Sequence, residues 1–403
     1  MRIRIQRTIL DENSFLIVQM IISTLIILFT ISNAQSLTST MFSLSFVNLL
    51  FLYLTATRKE RAANSGWTLL IWCAASIVFS YLGGSKDFAF ADLVSFATFA
   101  ATIMFMQAAI SIDVTRNTAH KLLLIGTVGA ALYPIGYFFL GANEYRNMGA
   151  LLLTMHFSSP NLTGMYLAQG CLFAILCFFL NRNKTVKAIA IIILGFDLYF
   201  LALSGARNSI ITVLLTMAGI IYVKSKKTKR ISPILSFAVS LSPLVFAIAY
   251  LLFIDEIGVS GSFDYIVEEG KPLTSRVHIW GNILQTLKGI HWIIGDFSKL
   301  RGNLHNTHMT ILGSYGIVGI ILLVRFLIDV MNSANHEVKS SSQALCLICF
   351  FGTIFMGFGE AALFYGSMGM YAIACSYLIL ARYDWEAETE RGTVKSYRQH
   401  SVV

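Results

Sequence analysis

The chain predicts an all-α polytopic membrane protein of about twelve transmembrane helices with one long external loop. Three observations lead there. Only 13% of the 403 residues are charged, while 56% are hydrophobic; a water-soluble domain carries roughly 25% charged residues. Apolar runs long enough to span a bilayer recur along the chain, and in lipid only a segment that satisfies its own backbone hydrogen bonds can cross, which a helix does. Lys and Arg concentrate in alternate connecting segments, the mark of a charge-oriented topology. No alternation of the β-barrel kind is visible.

Apolar runs broken at charges place spans near 14–32, 38–55, 67–83, 89–111, 122–140, 162–180, 186–203, 208–223, 232–253, 307–328, 342–358 and 361–381. Met1–Asn13 is basic, and the span after it lacks a small-residue cleavage site, so no cleavable signal is expected. With the N-terminus cytoplasmic, 22 of the 30 Lys and Arg residues fall on the cytoplasmic side, including the KSKKTKR run at 224–230. The positive-inside rule then puts both termini in the cytoplasm. The net charge of +9 follows topology and does not call for a nucleic acid partner. Residues 382–403 form a charged tail with the composition of a disordered segment. All six cysteines lie inside apolar spans, where they act as small hydrophobes; Cys346 and Cys349 form a CxxC without the polar setting a metal or redox site needs.

The segment 254–305 is external in this topology. It balances five basic against six acidic residues. A loop of about fifty residues in a chain of short connections points to function. Within it Val277, Trp280, Ile283 or Leu284, and Leu287 recur at helical spacing, with Thr274 or Ser275 as cap and Gly289 as stop. This predicts an amphipathic helix that either lies on the membrane surface or packs on the tops of the spans. The stretch His291–Ile294 offers a second interfacial contact.

Candidate chemistry gathers at the external ends. Arg207, in LSGARNS between two apolar runs, is costly there unless it serves as an anion clamp, or marks a tight turn paired with Asp197. Ser204 leaves room for a ligand near the backbone. Arg276 heads the surface helix, where free amides also favour an anion. His305 stands where the chain re-enters the membrane and can take a proton from a hydroxyl. Asn306 can bind a sugar or orient the histidine, and Asn161 at the start of a span can point an amide toward the same place. His308 makes a His-x-x-His pair with His305, but a third metal ligand is lacking, so no metal is expected. Gly313, Gly316 and Gly319 form a small-residue ridge suited to a close helix neighbour. Glu360 lies at the turn between the last two spans.

Three patterns occur in one order: Ser-Gly-Ala-Arg at 204–207; Arg276 with Trp280 and Gly295 in the long loop; then His305-Asn306 with Leu312 and G-x-x-G at 316–319. Together with Pro160-Asn161 and Gly164, these resemble the O-antigen ligase and O-antigen polymerase superfamily. The resemblance covers about residues 185–330, and Ala206 stands where that family often has a second serine. It implies a GT-C-like fold with N-terminal spans over 1–185, a ligase/polymerase-like core over 186–381 and the tail at 382–403.

The resemblance further implies a metal-independent glycosyltransferase of the bacterial inner membrane, without cofactor. It would use a polyprenyl-diphosphate-linked oligosaccharide at the external face. Arg207 and Arg276 would hold the diphosphate and His305 would sit by the acceptor hydroxyl, with Asn306, Asn161, Ser204, Trp280 and His308 around the substrate. Membrane lipids and other polysaccharide-assembly proteins, such as a flippase and a chain-length regulator, are the implied partners. A repeat-unit polymerase is the favoured expectation. Its alternatives are a ligase that transfers glycan to a lipid A core or other final acceptor, and a transporter, which would line a path through the membrane with polar residues.

Overall fold

In the computed structural model, residues 12–56, 60–83, 90–140, 144–147, 150–153, 160–227, 230–253, 267–268, 271–272, 276–300, 304–360 and 370–385 are described. The expectations for the basic N-terminus, most of the loop 254–275, Arg301 and the tail beyond 385 lie outside these residues.

Every predicted span contains a helix. In chain order these are α1 (Glu12–Ile31), α2 (Gln35–Thr55), α3 (Glu60–Leu82), α4 (Phe90–Ala109), α5 (Arg116–Leu140), α6 (Pro160–Leu180), α7 (Lys184–Ser204), α8 (Arg207–Lys226) and α9 (Pro233–Phe253). The long loop contributes α10 (Arg276–Thr286) and the single turn α11 (His291–Ile294), and α12 (Thr307–Glu337), α13 (Ser341–Met356) and α14 (Met370–Arg382) complete the set. Two short antiparallel hairpins decorate the connections: β1 (Glu144–Asn147) with β2 (Ala150–Leu153), and β3 (Val267–Glu268) with β4 (Lys271–Pro272). Among the described residues, nine helices are long and apolar enough to cross a membrane. This is the architecture of a multi-pass membrane protein. Of the other three predicted spans, α5 has 25 residues, α13 is apolar but has only 16, and the described part of the last, α14, has 13.

Packing separates inner from outer helices. α6 and α12 are mostly buried within the bundle, whereas α7 and α9 turn most of their residues outward. Large apolar side chains such as Ile71, Ile192, Leu214 and Leu252 are exposed on the outer helices, a surface suited to lipid. Local sequence sets the helix ends. Asn183 caps α7 by accepting from Thr185 N, and Gly205 ends it with φ 65°. Ser340 and Gln343 form a capping box at α13.

The loop helix α10 packs on the bundle. Trp280, Ile283 and Leu287 are buried and Leu284 is partly exposed. The Trp280 ring meets Tyr250 of α9 edge-on at 5.5 Å. Trp292 and Ile293 remain exposed at α11.

The glycine ridge of α12 receives a loop where a helix was expected. Gly316 has φ 71° and ψ −173°, which breaks the helix into two segments. The chain at Ile293–Gly295 enters the break: a Cβ on Gly316 would lie 2.1 Å from Ile293 O and 2.7 Å from Gly295 N. Backbone groups released by the break find partners. Asp296 N donates to Gly313 O at 2.8 Å, and Trp72 Nε1 of α3 donates to Tyr315 O at 2.9 Å. Asp296 then fixes the loop to α3. Its Oδ1 accepts from Ser298 Oγ (2.7 Å) and Ser80 Oγ (3.3 Å), its Oδ2 pairs with Lys299 Nζ at 3.1 Å, and Ser298 N donates to Ser80 Oγ at 3.0 Å. Burial pushes the Asp296 carboxyl up, but the bonds from Ser298 and Lys299 and the Lys299 charge outweigh it, leaving the group below its ordinary value.

Candidate functional site

Four elements meet on the turn Gly357–Glu360 that follows α13. Sequence pattern marks this stretch only as a break between two spans. Its two glycines, two residues apart, are the signal for closer contact: a Cβ on Gly357 would lie 2.7 Å from Thr307 Oγ1, and one on Gly359 would lie 3.0 Å from the Asn208 side chain.

The first element is the start of α12. Asn306 caps this helix, its side-chain oxygen accepting from Met309 N at 2.9 Å. The same amide donates to Pro243 O at 2.9 Å and Phe358 O at 3.0 Å, and the residue is fully buried. Its donors and its oxygen are therefore engaged by the protein beside His305; of the two roles expected for it, sugar contact and orienting the histidine, the bonds match the second more closely. Thr307 N donates to Gly357 O at 3.0 Å. On the other side, Leu304 O accepts from Trp280 Nε1 at 2.8 Å and Leu304 N donates to Thr310 Oγ1 at 3.3 Å. His305 stands between these two anchored residues with φ 56°, a left-handed conformation unusual for a side-chain-bearing residue. Such strain persists only where neighbours over-determine the backbone, and it clusters at functional positions. The imidazole is 39% exposed, and its Nδ1 lies 3.1 Å from Glu360 Oε1, a carboxylate that is 9% exposed.

The second element is the start of α6. Asn161 Nδ2 donates to the same Glu360 Oε1 at 2.9 Å. Sequence expectation aimed this amide at substrate; the structure aims it at the carboxylate that faces His305.

The third element is the turn from α7 to α8. Arg207 is the first residue of α8 and is exposed. Its neighbour Asn208 donates to Met356 O at 2.9 Å. Arg207 and His305 thus lie at the same end of the bundle. Ser204 does not line open space. It is buried, its hydroxyl donates to Leu201 O at 2.8 Å and accepts from Ala206 N at 3.3 Å. A Cβ on Gly164 of α6 would lie 2.1 Å from Ala206 Cβ, so the small residues at 204–206 let α6 pass close. The pairing of Arg207 with Asp197 is not formed: both Asp197 carboxyl oxygens are buried without a hydrogen-bond partner, and the carboxyl lies over Gly170, where a Cβ would sit 2.5 Å from Oδ2.

The fourth element is the start of α10. Arg276 Nη2 donates to Gly359 O at 3.3 Å, while its Nε is buried without a partner. A guanidinium with an unused buried donor is suited to an oxyanion.

Trp280 and His308 stand apart from this cluster. Trp280 is fully buried with its indole N–H used by Leu304. His308 is fully buried, and neither ring nitrogen is bonded to protein. Among the described residues, no group of three His, Cys, Asp or Glu side chains could hold a metal ion. The cysteines among them are free thiols in the interior.

No protein-family model matches the chain, and no curated protein matches it.

Proposed function

We propose that this protein is a membrane glycosyltransferase that extends a polysaccharide by transfer from a polyprenyl-diphosphate-linked oligosaccharide to a sugar hydroxyl. The observation that supports this most directly is the meeting at one turn: Arg276 bonds Gly359, His305 pairs with Glu360, and Asn208, next to Arg207, packs against Gly359. Two arginines and an imidazole at one end of a lipid-facing bundle suit a reaction in which a diphosphate leaves and a hydroxyl loses its proton. The sequence patterns around these same residues resemble the O-antigen ligase and polymerase superfamily, in agreement with that chemistry.

In this reading the acceptor oxygen forms a bond to the anomeric carbon of the donor. The bond from that carbon to the diphosphate oxygen breaks, and the electron pair departs with the diphosphate. Arg276, through its unused Nε, and Arg207 stabilise the charge that develops there, an electrostatic term that is commonly the largest in such sites. His305 receives the hydroxyl proton. Holding two lipid-anchored substrates in one membrane plane supplies the orientation.

The test is glycan formation from purified lipid-linked donor in vesicles by the wild type and by Arg207→Ala, Arg276→Ala and His305→Ala. Each variant should insert normally and lose on the order of 10²-fold in rate. A ladder of lengthening lipid-linked glycan supports the polymerase reading. Transfer only to a lipid A core makes the protein a ligase, redistribution of donor without new bonds makes it a carrier, and full activity in all three variants removes the site.

A further inference from the structure

Glu360 is the buried acid of the cluster, and its place in the fold is specified from several sides. Thr307 Oγ1 donates to its backbone carbonyl at 3.3 Å, the preceding Gly359 accepts from Arg276, and Asn161 Nδ2 donates to its carboxylate at 2.9 Å. A carboxylate held this firmly presents a fixed acceptor to whatever faces it. What faces it is Nδ1 of His305, at 3.1 Å. A neutral imidazole carries one N–H, and the partner of one nitrogen decides the state of the other. An acceptor at Nδ1 keeps the proton there and leaves Nε2 with its lone pair.

We infer that Glu360, oriented by Asn161, is the positioning residue of His305: it holds the imidazole as the Nδ1–H tautomer, so that Nε2 is the atom that takes the acceptor proton. This rests on the glycosyl-transfer reading for its consequence but not for its geometry. Three things follow from the assignment. The proton moves from the acceptor oxygen to Nε2, giving an imidazolium whose charge lies beside the Glu360 carboxylate, which stabilises it. Glu360 itself touches no substrate. The left-handed backbone at His305 acquires a purpose, because it is the conformation in which the ring meets a carboxylate from a different helix pair.

The experiment uses the full-length protein in vesicles, with Glu360→Leu as the main variant. Leucine keeps roughly the size but removes the charge and both acceptor oxygens, including the Oε1 that Asn161 Nδ2 and His305 Nδ1 share. The rate at saturating donor should fall on the order of 10²-fold, while KM for the donor changes less than about threefold. In a His305→Ala background the same substitution should change the rate less than about twofold, because residues that act as a unit are not additive. A purely structural Glu360 would give losses that multiply, and that result overturns the inference. Asn161→Ala, which leaves Glu360 in place but unheld, should show a smaller fall of the same kind.

A readout independent of turnover separates this inference from the proposed function. The ring ¹⁵N signals of His305, assigned by comparison with His305→Ala, should show a protonated Nδ1 in the wild type at neutral pH and lose that preference in Glu360→Leu, which has no acceptor to offer. An unchanged tautomer in Glu360→Leu overturns the assignment whatever the reaction. A wild type that makes no glycan, with the tautomer shift intact, overturns the function and leaves the pairing standing.

Discussion

Asn306 provides a sharp test of whether a polar residue beside the candidate base is there for substrate or for the fold. Its side chain makes three hydrogen bonds inside the protein: the cap to Met309 N and the two donations to Pro243 O and Phe358 O. An N-cap substitution to alanine costs about 1 kcal/mol, and each buried hydrogen bond contributes about 1 kcal/mol net. Asn306→Ala should therefore cost about 3 kcal/mol, a large part of the 5–15 kcal/mol typical of a folded domain. Asn306→Ser keeps the cap oxygen and should recover about 1 kcal/mol of that loss. Thermal unfolding in detergent, followed by loss of monodisperse protein, reads both values as an ordered series: wild type, then serine, then alanine, separated by several degrees. Glycan formation should fall with the folded fraction, because the residue that is lost anchors the backbone of His305. If Asn306→Ala melts with the wild type and loses only activity, the side chain serves substrate and the reasoning from its three bonds is wrong.

Two further outcomes follow from the loop that enters α12. Gly316→Ala places a methyl group 2.1 Å from a backbone oxygen at φ 71°; the conformation alone costs on the order of 1–3 kcal/mol and backbone cannot move aside as a side chain can, so the variant should fail to give monodisperse protein, whereas wild-type yield and melting would refute the assigned kink. The Asp296 carboxyl is held below its ordinary value in the folded state, so its contribution to stability is complete above the unfolded-state value of about 3.9 and is lost as pH falls through the lower folded-state value; Asp296→Asn should be less stable than the wild type at neutral pH and should lose part of the acid dependence of melting, and identical melting curves from pH 3 to 7 would contradict the clamp.

Much of the scaffold was legible because a bilayer imposes a simple rule on sequence. Apolar runs broken by Lys and Arg located a helix in every predicted span, while the caps at Asn183, Gly205 and Ser340 emerge only from the structure. Arg207, Arg276 and His305 stand out in the sequence because a charge or an imidazole at the edge of an apolar span is expensive or unusual. The turn on which Arg276, His305 and Asn208 converge does not. The Gly357–Glu360 turn lies more than fifty residues beyond His305 and nearly two hundred beyond Asn161 in sequence, and no periodicity connects positions so far apart. Residue type also cannot say whom an amide serves: Asn306 and Asn161 have the chemistry of sugar ligands, and both spend their donors on protein acceptors. The glycines of α12 suggested close approach correctly, but spacing alone does not tell a helix from a loop.

Trp72 and Ser80 of α3 carry a consequence for how the chain is assembled. They grip α12 at Tyr315 and the loop at Asp296 and Ser298, more than two hundred positions later. During synthesis α3 is made long before the loop and α12, and only when these emerge can Asp296, Ser298 and Tyr315 be seated against it. A chain without α3 would still hold the spans that follow it but would leave Asp296, Ser298 and Tyr315 without these partners, so α3 helps to seat the loop against α12 and is not merely packing material around it.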